Sequence, residues 1–256
     1  MFGMKIKRKE DSHSVPSYSS EGEDLLTERL FYGMLAKPAH EPGVYVDIGA
    51  YDPIRASNTN RLYQRGWHGL NIEPNPDQIA RFVEFRPRDT TVNIGVAEER
   101  GQLLYTQFTE PMLNGFLEDK FVERNVRLGE GQVLSRKCIP VAPAREIISE
   151  HFGHEQTIDL LNVDVELLEL PVLRSIDFKS FRPKVIVIEI HGPGNQSDWE
   201  EMEDPTKAIR GWDIETIGRT PEAEFLRAAG YAFFSRFWHS SIFVDETFIG
   251  SRKRRY

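Results

Sequence analysis

A lone glycine between two acids, with a third acid one apolar run later, is the first chemistry this chain offers. Asp47-Ile48-Gly49-Ala50-Tyr51-Asp52-Pro53 overlaps and follows the apolar run Val44 to Ile48, and Glu73 closes a second run, Leu70-Asn71-Ile72-Glu73, 26 positions after Asp47. In a parallel α/β sheet the loop at a strand's carboxyl end meets the ligand, and glycine there lets backbone approach it closely. An acid at the end of the neighbouring strand can accept both hydroxyls of a ribose. The pair therefore predicts a nucleoside site. It does not predict a pyrophosphate cradle, because G-x-G-x-x-G needs three glycines and only Gly49 is present. Asp47, Asp52 and Asp164 around such a loop would repel a doubly negative bridge and suit a cation, so the expected cofactor is S-adenosylmethionine, a nucleoside with a sulfonium and an amino acid arm.

Elements that could place these residues are legible along most of the chain. Ser20 and Glu23 form an S-x-x-E capping box ahead of Leu25, Leu26, Leu30, Phe31, Met34 and Leu35, which predicts a helix ending near Lys37-Pro38. Strands are expected at 44–48, 70–73, 90–94, 158–163 and 185–190, with weaker extended stretches at 102–107 and 133–141. Helices are expected at 57–65, after Asn75-Pro76, and at 144–151, 167–175 and 221–229. Ile158 to Val163 and Val185 to Ile190 lack the polar alternation of a one-sided sheet, so they should be buried on both faces, as a parallel sheet covered by helices requires. Tyr231 to Phe234 and Ile242 to Val244 read as an antiparallel pair at the end.

Composition bounds the reading. The chain has 256 residues, is 39% hydrophobic and 28% charged, and should form one α/β domain over 18–250. Polar tails are expected at 1–17 and 251–256, and insertions covering a pocket at 109–131 and 192–220. The tails are basic, with Lys5, Lys7, Arg8 and Lys9 at one end and Arg252, Lys253, Arg254 and Arg255 at the other, so the body is more acidic than the net charge of −8. Such a body does not suit a nucleic-acid partner. Cys138 is the single cysteine, excluding an intrachain disulfide and fitting a cytoplasmic protein. No apolar run is long enough for a signal peptide or a transmembrane segment.

Five blocks carry a family resemblance. Ser20-Glu21-Gly22-Glu23-Asp24, Val46-Asp47-Ile48-Gly49-Ala50, Ser57-Asn58-Thr59, Gly66-Trp67-His68-Gly69-Leu70-Asn71-Ile72-Glu73-Pro74-Asn75 and Leu161-Asn162-Val163-Asp164-Val165-Glu166 resemble the FkbM family of S-adenosylmethionine-dependent methyltransferases. The likeness runs over about 18–191. It implies a class I methyltransferase sheet: Rossmann-like, seven strands, mostly parallel, with a C-terminal antiparallel hairpin and helices on both faces. It implies that Asp47 and Gly49 lie at the methionine arm, Glu73 at the ribose and Asn93 and Ile94 near the adenine, with Ala50, Tyr51, Asp52, Ser57, Thr59, Pro74 and Asp164 also binding the cofactor. Family members commonly read S-Q-x-G-E-D and I-D-x-E-G, where this chain has Ser20 and Leu167.

The resemblance makes the two strand ends carrying Asp164 with Glu166 and Glu189 with His191 neighbours. Each pair is spaced by two, which should lean both side chains to one face. The implied reaction is O-methylation of a hydroxyl on a sugar, glycan or secondary metabolite, with alignment of acceptor and sulfonium as the main contribution. His191 is the first choice of base because an imidazole titrates near neutrality, with Glu166 or Glu189 orienting or replacing it. Asp164, Glu189 and His191 could alternatively hold a divalent cation. Two other functions compete: a degenerate methyltransferase fold serving as a binding module, and a nicotinamide-dependent oxidoreductase, which the missing glycines disfavour. Plainer structural roles compete at each site: a turn cap for Asp47, an exposed strand-end acid for Glu73, a helix cap for Asp164 and Glu166, a turn residue for His191. The remaining histidines, His239 among them, show no usable spacing, and Trp67, Trp212 and Trp238 are expected to pack.

Overall fold

The computed structural model describes residues 15–153, 156–191 and 214–252. In chain order its strands are β1 (Val44–Ile48), β2 (His68–Ile72), β3 (Thr90–Val92), β4 (Gly95–Val96), β5 (Gly101–Phe108), β6 (Val133–Ala142), β7 (Leu160–Val163), β8 (Val185–Glu189), β9 (Tyr231–Arg236) and β10 (Ser240–Asp245). The helices are α1 (Glu23–Arg29), α2 (Asn60–Gln64), α3 (Pro76–Phe85), α4 (Asp119–Leu128), α5 (Ala144–Phe152), α6 (Glu169–Ser175), α7 (Ile214–Ile217), α8 (Pro221–Ala228) and α9 (Glu246–Arg252). No helix among the described residues is long and apolar enough to cross a membrane.

Seven strands form one sheet in the order β3-β2-β1-β7-β8-β10-β9. The first five run parallel, while β10 is antiparallel to both β8 and β9. This is the class I methyltransferase sheet with its closing hairpin. Strand order reverses between β1 and β7, so the carboxyl ends of β1, β2, β7 and β8 share one edge where a crevice opens. β1 and β7 are buried at every position, Asp47 and Asn162 among them, as strands without polar alternation require. One core cluster includes Val46, Ile48, Leu161, Ile186 and Phe243; a second includes Leu30, Phe31, Tyr45, Trp67, Leu160 and Val187. Alternate residues of β1 thus feed opposite faces.

Asn75 caps α3 by accepting from Asp77 N, with Pro76 in the first turn, as expected. The capping box does not form. α1 starts after Gly22 in a left-handed conformation, φ 94°, and Glu23 instead accepts from Glu21 N and from Ser240 Oγ. Ser19 Oγ, not Ser20, accepts from Gly22 N and Asp24 N. The helix then passes into a π turn, Leu30–Met34. Order also reaches further upstream: Ser17 Oγ and Tyr18 N donate to Asp24, and Ser57 N donates to Tyr18 O. Trp67 is fully buried, edge-on to Phe31 at 4.8 Å, but Trp238 is 54% exposed and does not join the core. Trp212 lies outside the described residues.

A separate three-stranded sheet, β4-β6-β5, stands over the crevice. The stretch 109–131, unreadable by periodicity, supplies a 3-10 turn at Pro111–Leu113 and α4. A bridge between Thr106 and Gly115 ties it to β5.

Candidate active site

The loop after β1 is fixed by three contacts. Gly49, at φ +77°, is left-handed, and a Cβ there would stand 1.7 Å from the Asp164 carbonyl oxygen. Only glycine lets the ends of β1 and β7 approach so closely. Tyr51 is also left-handed, φ 53°, and its amide donates to Glu73 Oε2 at 2.8 Å. Glu73 Oε1 accepts from Asn75 N at 2.6 Å, so one carboxylate joins the ends of β1 and β2. Burial pushes the Glu73 carboxyl up to about 7 against these two hydrogen bonds.

Asp47 is wholly inside the protein. Thr59 Oγ1 donates to its Oδ2 at 2.6 Å and Asn162 Nδ2 to its Oδ1 at 2.8 Å. Burial raises its pKa; the Thr59 and Asn162 bonds and the Arg86 charge pull it back. Arg86, 1% exposed, donates to Thr59 Oγ1 at 2.7 Å, to Ser57 Oγ at 2.6 Å and to the Pro53 carbonyl at 2.7 Å. This buried cation is not legible along the chain, because a single arginine after a helix has no signature.

These parts line a partly open hollow at the carboxyl ends of β1 and β2. Of the residues expected around a cofactor, Asp47, Gly49, Ala50, Tyr51, Ser57, Glu73, Pro74, Ile94 and Asp164 line it. Three are not part of that lining. Asp52 caps the turn through Ile54 N and Arg55 N and pairs with Arg81 at 2.8 Å. Thr59 is turned to Asp47, and Asn93 donates to the Glu73 and Pro74 carbonyls. The opposite wall, with Val96, Tyr105 and Phe116, comes from β4, β5 and the 109–131 stretch.

A second, partly open hollow adjoins it, sharing Ser20, Ala56, Asn58, Met112, Asp164 and Glu166. Glu166, Glu189 and His191 line this one, with Leu113, Leu117 and Phe121 opposite. His191 Nε2 lies 3.0 Å from Glu189 Oε2. Asp164 and Glu166 do not owe their common direction to strand alternation: β7 ends at Val163, and Glu166 is left-handed at φ 53°. Burial, then the neighbouring Glu189, holds both carboxyls well above the usual range. Burial pushes Glu189 up to about 7 and Glu169 up to about 8, and it lowers His191. Neither Asp164 nor Glu166 caps α6; Glu169 itself accepts from Val165 N and Leu167 N.

The metal-ligand set differs from the expected one. Among the described residues, Glu166, Glu189 and His191 bring one ligand atom each within 4.8 Å of one another, and Asp164 is not of that group. His239, passed over in the sequence, also lines the second hollow, its ring 6.0 Å from that of His191. Its Nδ1 lies 2.7 Å from Glu21 Oε1, and its backbone N donates to the same carboxylate. Residues 218 positions apart are joined here by the hairpin, a pairing that spacing could not reveal.

The model of the Methyltransferase FkbM domain matches residues 47–231, most of the chain. The protein belongs to the FkbM methyltransferase family. No curated protein sequence matches it. Among solved structures it is similar to a putative O-methyltransferase from Klebsiella pneumoniae (12% identity, 91% of this chain and 83% of that one, TM-score 0.44). Two others are Aeropyrum pernix fibrillarin with natively bound S-adenosyl-L-methionine (11%, 86% and 73%, TM-score 0.43) and a putative caffeoyl-CoA O-methyltransferase from Staphylococcus aureus (10%, 90% and 86%, TM-score 0.41). Within this FkbM methyltransferase the departure at Leu167 has a visible cost: the position is left-handed, φ 80°, where a leucine is strained. Its side chain lines the second hollow and packs on the cluster of Phe108, Leu117, Phe121 and Val122.

Proposed function

We propose that this methyltransferase moves the methyl group of S-adenosylmethionine to a hydroxyl of a sugar, glycan or secondary metabolite. The observation that carries the cofactor is that Gly49 and Glu73 face one hollow at the carboxyl ends of β1 and β2. S-adenosylmethionine supplies the electrophilic methyl and a positive charge beside it. Asp164 lines the hollow, its carboxyl held high by burial in the free protein and drawn toward its ionised form by a bound sulfonium, and Asp47 braces the loop there. Glu73 accepts from the ribose hydroxyls, and Ile94, Val96, Tyr105 and Phe116 give the base an apolar slot.

Acceptor chemistry is supported by the second hollow, which opens on the first across Asp164 and Glu166. Its rim of Glu166, Glu189 and His191 activates a hydroxyl by taking its proton or by holding an ion that acidifies it. Calorimetric titration of the purified chain with S-adenosylmethionine and S-adenosylhomocysteine tests the reading. Saturable binding is expected, with release of S-adenosylhomocysteine when hydroxylated glycan extracts are added. A flat titration with both ligands at high concentration overturns it.

A further inference from the structure

We propose that the methyl acceptor is an uncharged, two-sided molecule, a hydroxylated head carrying an alkyl or aromatic body, an inference that rests on the methyltransferase reading of the site. The methylated hydroxyl must reach the place where the two hollows meet, at Asp164 and Glu166. The rest of the acceptor then extends into the second hollow, whose two sides differ in chemistry. Leu113, Leu117, Phe121 and Leu167 make one side apolar. Glu21, Glu23, Glu189, His191 and His239 make the other polar.

The apolar side is the accessible part of a small core of its own. Phe108, Leu117, Phe121 and Val122 are buried in it, while Leu113 and Leu167 pack on it and stay half-buried. Two separate stretches supply these residues, 109–131 and the loop after β7. Leu167 gives an independent sign that the side chain itself matters. Its φ of 80° is left-handed, a strained conformation for any residue with a Cβ, and such strain persists where the position serves a site. What that side chain covers is the second hollow and the cluster beneath it. Apolar side chains left accessible inside a concave hollow, rather than scattered over a convex surface, bury the apolar part of a ligand.

Charge decides the character of the head. Glu21, Glu23, Glu130, Asp164, Glu166 and Glu189 line the hollow with a single arginine, Arg124, whose Nη1 donates to Glu130 Oε2 at 3.3 Å. Burial, then the neighbouring Glu189, already holds Asp164 and Glu166 well above the usual carboxylate range, and an anionic acceptor would add to that repulsion. A cationic head is not called for either, because most of these acids are engaged. Glu21 faces His239 Nδ1 at 2.7 Å, Glu23 accepts from Ser240 Oγ at 2.8 Å, and Glu189 lies 3.0 Å from His191 Nε2. Carboxyl, imidazole and hydroxyl groups with both donors and acceptors suit the hydroxyls of a neutral sugar or polyol.

The test is calorimetry on the full chain, with and without S-adenosylhomocysteine. The probes are alkyl β-glucosides from methyl to octyl, and octyl β-glucuronide, which puts the longest chain on an anionic sugar. Affinity should rise about three- to fourfold per methylene over the length that the apolar side can cover. Octyl β-glucuronide should bind at least about tenfold more weakly than octyl β-glucoside. Neither Leu113 nor Leu167 is part of the cofactor hollow's lining. Leu113→Ser and Leu167→Gly should therefore each weaken octyl β-glucoside at least about fivefold while leaving S-adenosylhomocysteine affinity within about twofold, which also reports folding. An affinity flat with chain length, a gain unchanged in either variant, a glucuronide as tight as the glucoside, or no saturable binding of octyl β-glucoside below its micelle concentration overturns the inference. Glycoside binding that follows chain length without any S-adenosylhomocysteine binding would leave the apolar side standing and remove the methyltransferase reading.

Discussion

If Glu73 accepts from the ribose as proposed, its carboxyl should make cofactor affinity a function of pH. Burial pushes it up to about 7 in the free protein, while its two oxygens accept from Tyr51 N and Asn75 N. Ribose hydroxyls need an ionised acceptor to bind best, since the protonated form gives up part of its accepting capacity. At about pH 8 roughly nine in ten molecules are ionised, and at about pH 6 roughly one in ten. S-adenosylhomocysteine should therefore bind about tenfold more weakly at the lower pH, about 1.4 kcal/mol. Stability of the free protein moves the opposite way. Between the ordinary glutamate value and about 7, the folded state holds a proton that the unfolded chain has lost, so this carboxyl's contribution declines as pH rises through that window. Glu189 and Glu169 are also raised, to about 7 and about 8, so the Glu73 share must be isolated by substitution. Glu73→Gln removes a charge-assisted acceptor and should weaken binding by about 1.5–3 kcal/mol at about pH 8. It should also flatten the pH dependence. Calorimetry on both proteins across the range decides the matter: a wild-type affinity that is flat with pH, or a slope that survives in Glu73→Gln, refutes the reasoning.

Gly49→Ala combines a left-handed backbone with a Cβ 1.7 Å from the Asp164 carbonyl oxygen, so a loss of about 3 kcal/mol or more in denaturant melts is expected, with no measurable cofactor binding. Arg86→Met strips Ser57, Thr59 and the Pro53 carbonyl of their donor and should destabilise by about 3 kcal/mol, with weaker S-adenosylhomocysteine binding through the loosened Asp47. Leu167→Gly relieves about 1 kcal/mol of backbone strain and gives up a half-buried leucine of similar worth, so stability should change by less than about 1 kcal/mol while the second hollow widens. A loss beyond about 2 kcal/mol in urea unfolding would show that the strain is not there.

What this sequence determined alone is local and periodic. Mostly apolar runs without polar alternation at 158–163 and 185–190 imposed burial on both faces and so a helix-covered parallel sheet, and Asn75-Pro76 marked a helix start through its own side chain and ring. Gly49 and Glu73 were legible as a pair because both sit at ends of adjacent strands, where the sheet converts sequence order into proximity. The capping box misled because Glu23 finds Ser240, more than two hundred residues away, a better partner than its own helix end. Tertiary structure alone decided the rest. It brought His239 to Glu21, seated Arg86 under the cofactor loop, stood Tyr105 and Phe116 over the crevice, and chose Glu166 over Asp164 as companion to Glu189 and His191. The physical reason is range: a periodic pattern records which face of an element is buried, whereas these contacts join elements far apart in the chain, and their geometry exists only once the sheet is closed.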